Sequence, residues 1–150
     1  AAIGNSATDY MNAKIWQGFG MEHPGNWMLA APFGGETGGC CISASIRDYA
    51  RLGIFVKNGA VDAKGEPIVA DGWIEAATAA SPAYAGYGYK WWLLGDGAYS
   101  AVGIFGQYIY INPKHDLVIS LHSNAPAAVD SDHHQHAEAA MATIAAAFAP

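Results

Sequence analysis

The stretch that most limits how this chain can fold is Gly86 to Asn124. Tyr87-Gly88-Tyr89-Lys90-Trp91-Trp92-Leu93-Leu94 has the aromatic content and period-two character of a strand, and Gly95-Asp96-Gly97 is a tight-turn signal. Ala101 to Pro113 then reads as a second strand, Asn112-Pro113-Lys114-His115-Asp116 as a turn, and Leu117 to His122 as a third strand. The expectation is a three-stranded antiparallel meander. Gly103 and Gly106 bracket Ile104-Phe105 inside the middle strand. Glycine weakens pairing and packs nothing, so it marks a bulge or a close approach of another group to the main chain.

Helices flank this meander. Ser6-Ala7-Thr8-Asp9 and Ser45-Ile46-Arg47-Asp48 both place a hydroxyl three residues before a carboxylate, the form of a capping box. The first predicts a helix over 7 to 17 that closes at Gly18 and Gly20, and the second predicts one that ends at Asn58-Gly59. Asp71 is expected to cap a short helix, and Asp130-Ser131-Asp132 a last one. In that last helix Ala137, Ala140, Met141, Ile144, Ala145 and Phe148 follow the spacing of one apolar face and should lie on the sheet. Met21 to Gly39 has no sustained period and reads as a long loop of the kind that walls a pocket. The layout is an α+β single partial domain: a helical and loop region over 1–82, the meander over 84–124, and a C-terminal helix over 130–149.

Bulk properties narrow the function classes. In 150 residues, 52% are hydrophobic and 13% charged, which describes a chain able to bury a core of about two thirds of its unfolded surface. The net charge of −6, with lysine and arginine scattered, argues against nucleic acid as a partner. No apolar run approaches the roughly 20 residues that span a bilayer, so no membrane partner is expected. Cys40 and Cys41 are adjacent, a spacing that strains disulfide geometry, and they are expected to be two small buried apolar side chains.

Chemistry-bearing residues are sparse. No serine has a lysine three residues on, the spacing that puts a nucleophile and its base on one helix face, and no Gly-x-Ser-x-Gly elbow is present. Ser6 and Ser45 are accounted for as caps. Tyr10-Met11-Asn12 and Tyr110-Ile111-Asn112 match a Tyr-x-Asn string, but their helix and strand contexts mark them as structural. His133, His134 and His136 cluster at the start of the last helix; without a second cluster to complete a shell, a polar first turn explains them and no metal is expected. His122 lies on one side of the third strand as a half-buried histidine. Main-chain N–H groups beside Gly103 and Gly106 are a candidate of another kind, because an oxyanion hole needs donors and no particular side chain.

The order of these signals resembles a known family. Asp9-Tyr10-Met11, Lys14-Ile15-Trp16, Phe19-Gly20-Met21, Gly38-Gly39 and Asp48-Tyr49-Ala50-Arg51 follow one another, and then come Tyr87 to Trp92, Gly103 to Gln107, Tyr108 to Pro113 and Ser123-Asn124. The succession resembles the C-terminal part of penicillin-recognising serine hydrolases, and within them the branch of class C β-lactamase-like esterases and 6-aminohexanoate-dimer hydrolase. The resemblance implies an acyl-enzyme that cleaves a small amide or ester and needs no cofactor. It implies that the Ile104 N–H is an oxyanion donor, with Gln107 as the alternative, that Phe105 and Gly106 border the substrate, and that Asn26 and Trp27 contact it. The Ser-x-x-Lys and Tyr-x-Asn motifs of the family precede the matched region, so the chain is expected to be a C-terminal fragment, inactive alone. Its third strand then has an open edge for the N-terminal part of the same protein or for a second chain. The Lys-Thr-Gly string of true β-lactamases is absent, which counts against β-lactam hydrolysis. A non-catalytic binding or scaffold domain, holding a ligand with the aromatic loop Phe19 to Phe33, is the alternative.

Overall fold

A computed structural model describes residues 4–148. Residue 149, where the sequence reading ends the last helix, lies outside them. The elements in order are helix α1 (Ala7–Met11), a π-helical turn (Asn12–Trp16), α2 (Gln17–Phe19), strands β1 (Asn26–Trp27) and β2 (Ile42–Ser43), α3 (Ile46–Lys57), α4 (Trp73–Ala77), β3 (Trp92–Leu93), β4 (Tyr99–Val102), β5 (Tyr108–Asn112), β6 (Leu117–Leu121) and α5 (Ser131–Ala147).

The caps act as the sequence indicates. Ser6 accepts from the Asp9 N–H, Ser45 from that of Asp48, and Asp130 from that of His133. The first helical run passes through Gly18 and stops at Gly20, which takes φ 78°. Gly72, rather than Asp71, occupies the cap position of α4.

The main sheet is antiparallel in the order β3-β4-β5-β6, which makes four strands rather than three. The expected middle strand is cut in two. The Gly103 N–H donates to the Gln107 carbonyl at 2.8 Å and the Gly106 N–H to the Gly103 carbonyl at 3.0 Å, so the backbone reverses there and β4 pairs with β5, Val102 opposite Tyr108. Gly106 at φ 80° makes the reversal possible. The first expected strand is likewise shorter than its aromatic content suggests. Lys90 at φ 70° turns the chain, Tyr87 bridges back to Trp92, and only Trp92–Leu93 joins the sheet.

β5 is the buried centre, and its alternation sorts the core into two layers. Ile109 and Ile111 face α3 with Phe55, Val56, Ala60 and Tyr99. Tyr108 and Tyr110 face α5 with Ala98, Ala137, Met141 and Ala145. The stripe on α5 is narrower than the sequence implied. Ala137, Met141 and Ala145 meet the sheet along one line, whereas Ala140, Ile144 and Phe148 are exposed. β6 pairs with β5 alone, and its outer edge carries no strand among the described residues. No helix among them is long and apolar enough to cross a membrane.

Cys40 and Cys41 are bonded to each other and exposed, which corrects the expectation of two buried thiols. Cys41 adopts φ 96°, and that bend lets adjacent sulfurs meet on a surface loop.

Candidate functional site

The turn between β4 and β5 carries four of the residues singled out from the sequence: Ile104, Phe105, Gly106 and Gln107. Ile104 is 61% exposed at its tip. A strap formed by residues 123–130 crosses the turn. The Ala125 N–H donates to the Phe105 carbonyl at 3.0 Å and the Val129 N–H to the Ile104 carbonyl at 2.7 Å. The Phe105 N–H is taken by Oε1 of Gln107 at 3.3 Å. The N–H groups of Ile104 and Gln107 have no hydrogen-bond partner among the described residues.

Both glycines of the turn are places of close approach, and the groups that approach belong to the chain itself. A Cβ on Gly103 would lie 2.3 Å from Oε1 of Gln107, and one on Gly106 would lie 2.4 Å from the His133 ring. Beside the tip opens a cleft of about 360 Å³, lined by Ile104, Val129, Trp92, Tyr108, His134 and Glu138 among others. The Tyr108 hydroxyl hydrogen-bonds Nδ1 of His134. Burial of the phenol, with the Glu138 carboxylate beside it, pushes its pKa up to about 12.

Asn26 and Trp27 stand elsewhere. They lie in β1, paired to β2, and line a second pocket of about 180 Å³ together with Thr8, Asn12 and Trp16. No residue lines both pockets, so these two are not brought into one cavity with Ile104. The wall beside them is set by Asp48. Its fully buried carboxylate accepts from the N–H groups of Glu22 at 2.7 Å and His23 at 3.1 Å, and the His23 carbonyl accepts from Nε1 of Trp16 at 2.8 Å.

The histidines disperse. Nε2 of His133 is 2.7 Å from the Ser123 hydroxyl and His134 bonds Tyr108, while His122 is exposed and meets the edge of Tyr49. In the second Tyr-x-Asn string, Nδ2 of Asn112 donates to the Tyr110 hydroxyl at 3.4 Å, with both residues buried, which is a packing role. Sequence reasoning missed the Ser123–His133 pair and the Gln107 bridge. The local signs are the two glycines: Gly106 leaves room for the His133 ring and Gly103 for the Gln107 side chain.

Residues 1–142 match the family model described as Beta-lactamase. The chain belongs to the beta-lactamase family. Among curated proteins, the 6-aminohexanoate-dimer hydrolase of Paenarthrobacter ureafaciens is 33% identical over 109 residues, covering 63% of this chain and 27% of that protein. Among solved structures, the "Putative 6-aminohexanoate-dimer hydrolase from Bacillus anthracis" is similar with a TM-score of 0.78 and 27% identity, over 95% of this chain and 38% of that one. This beta-lactamase-family chain therefore spans less than two fifths of the length of these relatives. It is α+β, as its sequence indicates, and related by sequence and structure to the 6-aminohexanoate-dimer hydrolases.

Proposed function

We propose that this chain supplies the sheet-bearing part of a serine hydrolase that cleaves amide or ester bonds through an acyl-enzyme. Its contribution is the Ile104 N–H, one of two donors to the acyl oxygen. The observation that carries the reading is an unpaired amide at an exposed turn, beside a cleft, in a strand pair whose other turn amides at Gly103, Phe105 and Gly106 are all engaged. Gln107 is the alternative donor. Ile104 is favoured because it is exposed and borders the cleft, whereas Gln107 does not line it.

In the reaction a serine oxygen attacks the carbonyl carbon, and the negative charge that gathers on the carbonyl oxygen is met by fixed N–H donors. The C–N or C–O bond breaks, the amine or alcohol leaves with the proton taken from the serine, and water then releases the acid from the acyl-serine. No serine here has the Ser-x-x-Lys spacing. The nucleophile and its base therefore come from a partner at the free edge of β6: the N-terminal part of the same protein or a second chain. Small amides are the first substrates to try, since the curated relative is a 6-aminohexanoate-dimer hydrolase. A fluorophosphonate probe should label the longest polypeptide encoded with this chain, on a serine outside these 150 residues, and leave the 150-residue chain unlabelled. Labelling on any serine present here, or on none in the longer polypeptide, overturns the reading.

A further inference from the structure

Among the described residues, most polar groups of the β4–β5 turn are engaged within the chain, and the Ile104 and Gln107 N–H groups are not. The N–H groups of Gly103 and Gly106 close the turn on itself, and the carbonyls of Ile104 and Phe105 are held by the strap. Of the three N–H groups without a backbone partner, those of Ile104, Phe105 and Gln107, only that of Phe105 is engaged, and it bonds the side chain of Gln107. The same side chain donates through Nε2 to the Ser123 carbonyl at 2.9 Å, at the start of the strap. One amide group thus ties the turn to the segment that crosses it. Gly103 has no side chain at the place where Oε1 of Gln107 sits, so the space that the glycine opens is filled by this bridge.

We infer that Gln107 is the positioning residue of the Ile104 donor: its side-chain amide bridges Phe105 and Ser123 and so holds the Ile104 N–H free and fixed in place. This rests on the hydrolase reading for its consequence, though not for its geometry. A donor stabilises a developing oxyanion only if it is already in place, and a displacement on the order of 1 Å costs on the order of a hundredfold in rate.

The test has two arms. In the longest polypeptide that carries this chain, Gln107→Met keeps the volume and removes both hydrogen bonds. The expected result is a kcat lower by about 10- to 100-fold with KM changed by less than about threefold, since the lost interaction acts in the transition state. A Met variant with unchanged kcat means that the side chain only fills space, and it overturns the inference. The second arm uses amide hydrogen exchange on the 150-residue chain and needs no activity. The Phe105 amide is expected to be protected and to exchange at least about tenfold faster in Gln107→Met, while Ile104 exchanges rapidly in both. Unchanged Phe105 exchange overturns the bridge even if kcat falls. Should Gln107→Met fail to fold, Gly103→Ala displaces the same side chain and is expected to give the same exchange result. If the unmodified polypeptide neither hydrolyses amides or esters nor takes the probe, the hydrolase reading fails, and the exchange arm alone decides the bridge.

Discussion

The imidazole of His133 fills the space that a side chain on Gly106 would need: a Cβ there would come within 2.4 Å of Cδ2 and 2.5 Å of Nε2, the nitrogen that meets the Ser123 hydroxyl at 2.7 Å. Gly106 also sits at φ 80°, where an L side chain is strained. Gly106→Ala therefore carries a backbone cost of about 1–2 kcal/mol and a second cost from pushing the ring off Ser123, for an expected loss of about 2–4 kcal/mol in denaturant unfolding. In a His133→Ala background the penalty should fall to the backbone part alone. Equal penalties in the two backgrounds would show that the ring does not pack on Gly106.

Tyr108 should be among the last tyrosines to ionise. Its phenol is buried against α5 and lies near Glu138, which together push the pKa to about 12 from an ordinary 10.0. Between those values the folded chain keeps a proton that the unfolded chain releases, so stability falls as pH rises through the window. Ultraviolet titration of the native chain should show a late tyrosinate step that Tyr108→Phe removes, and the variant should lose stability less steeply over that range. A late step that survives in Tyr108→Phe would assign it to another residue.

Asp48 is expected to shape the acid limb. Burial alone would raise its pKa, but the N–H of Glu22, the Ser45 hydroxyl, the N–H of His23 and the Arg51 guanidinium outweigh it and hold the carboxyl below its ordinary 3.8. The resulting stability is present above the ordinary value and is lost as pH falls through the lowered one. Asp48→Asn should therefore be less stable at neutral pH and lose less on acidification. The 22–23 segment held by this carboxylate adjoins the pocket of Asn26 and Trp27, so tryptophan emission at neutral pH should shift as well. An acid limb of unchanged slope in the variant would remove Asp48 from this role.

What could be read from the sequence was local. Ser6, Ser45 and Asp130 cap helices because a cap is decided within four residues, and the turn signals at Gly95-Asp96-Gly97 and Asn112-Pro113 mark turns in the structure for the same reason. The break at Gly103 to Gln107 was harder. Two glycines inside an apolar run fit either a bulge or a reversal, and only the pairing of Val102 with Tyr108 distinguishes them. The exposure of Ile144 and Phe148 reflects how narrow a contact α5 makes with the sheet, which period alone does not convey. The Cys40–Cys41 bond depends on one backbone angle, φ at Cys41. At the candidate site the glycines marked the main-chain N–H groups beside them and the resemblance pointed to Ile104 and Gln107, whereas the partner of the Gln107 side chain is sixteen residues away at Ser123. Asn26 and Trp27, taken from resemblance, line a different pocket from Ile104.

Gly53 offers the sharpest test of the packing that holds the site in place. It lies in the third turn of α3, buried, where glycine ordinarily costs about 1 kcal/mol against alanine. A Cβ at that position would come 2.6 Å from Cγ1 of Val118 and 2.8 Å from Cγ2 of Ile109, on two adjacent strands of the sheet. Neither methyl can retreat easily: Ile109 belongs to the core and β5 is held by β4 and β6 on both sides. Overpacking of this kind costs about 1–3 kcal/mol, so the clash outweighs the gain in helix propensity. Gly53→Ala is expected to lower stability by up to about 2 kcal/mol, net of that gain. Adding Val118→Ala frees the nearer of the two methyls, and the double variant should then be more stable than the sum of the single losses implies. A rise in melting temperature for Gly53→Ala alone would mean that α3 does not approach β5 and β6 as closely as these contacts require.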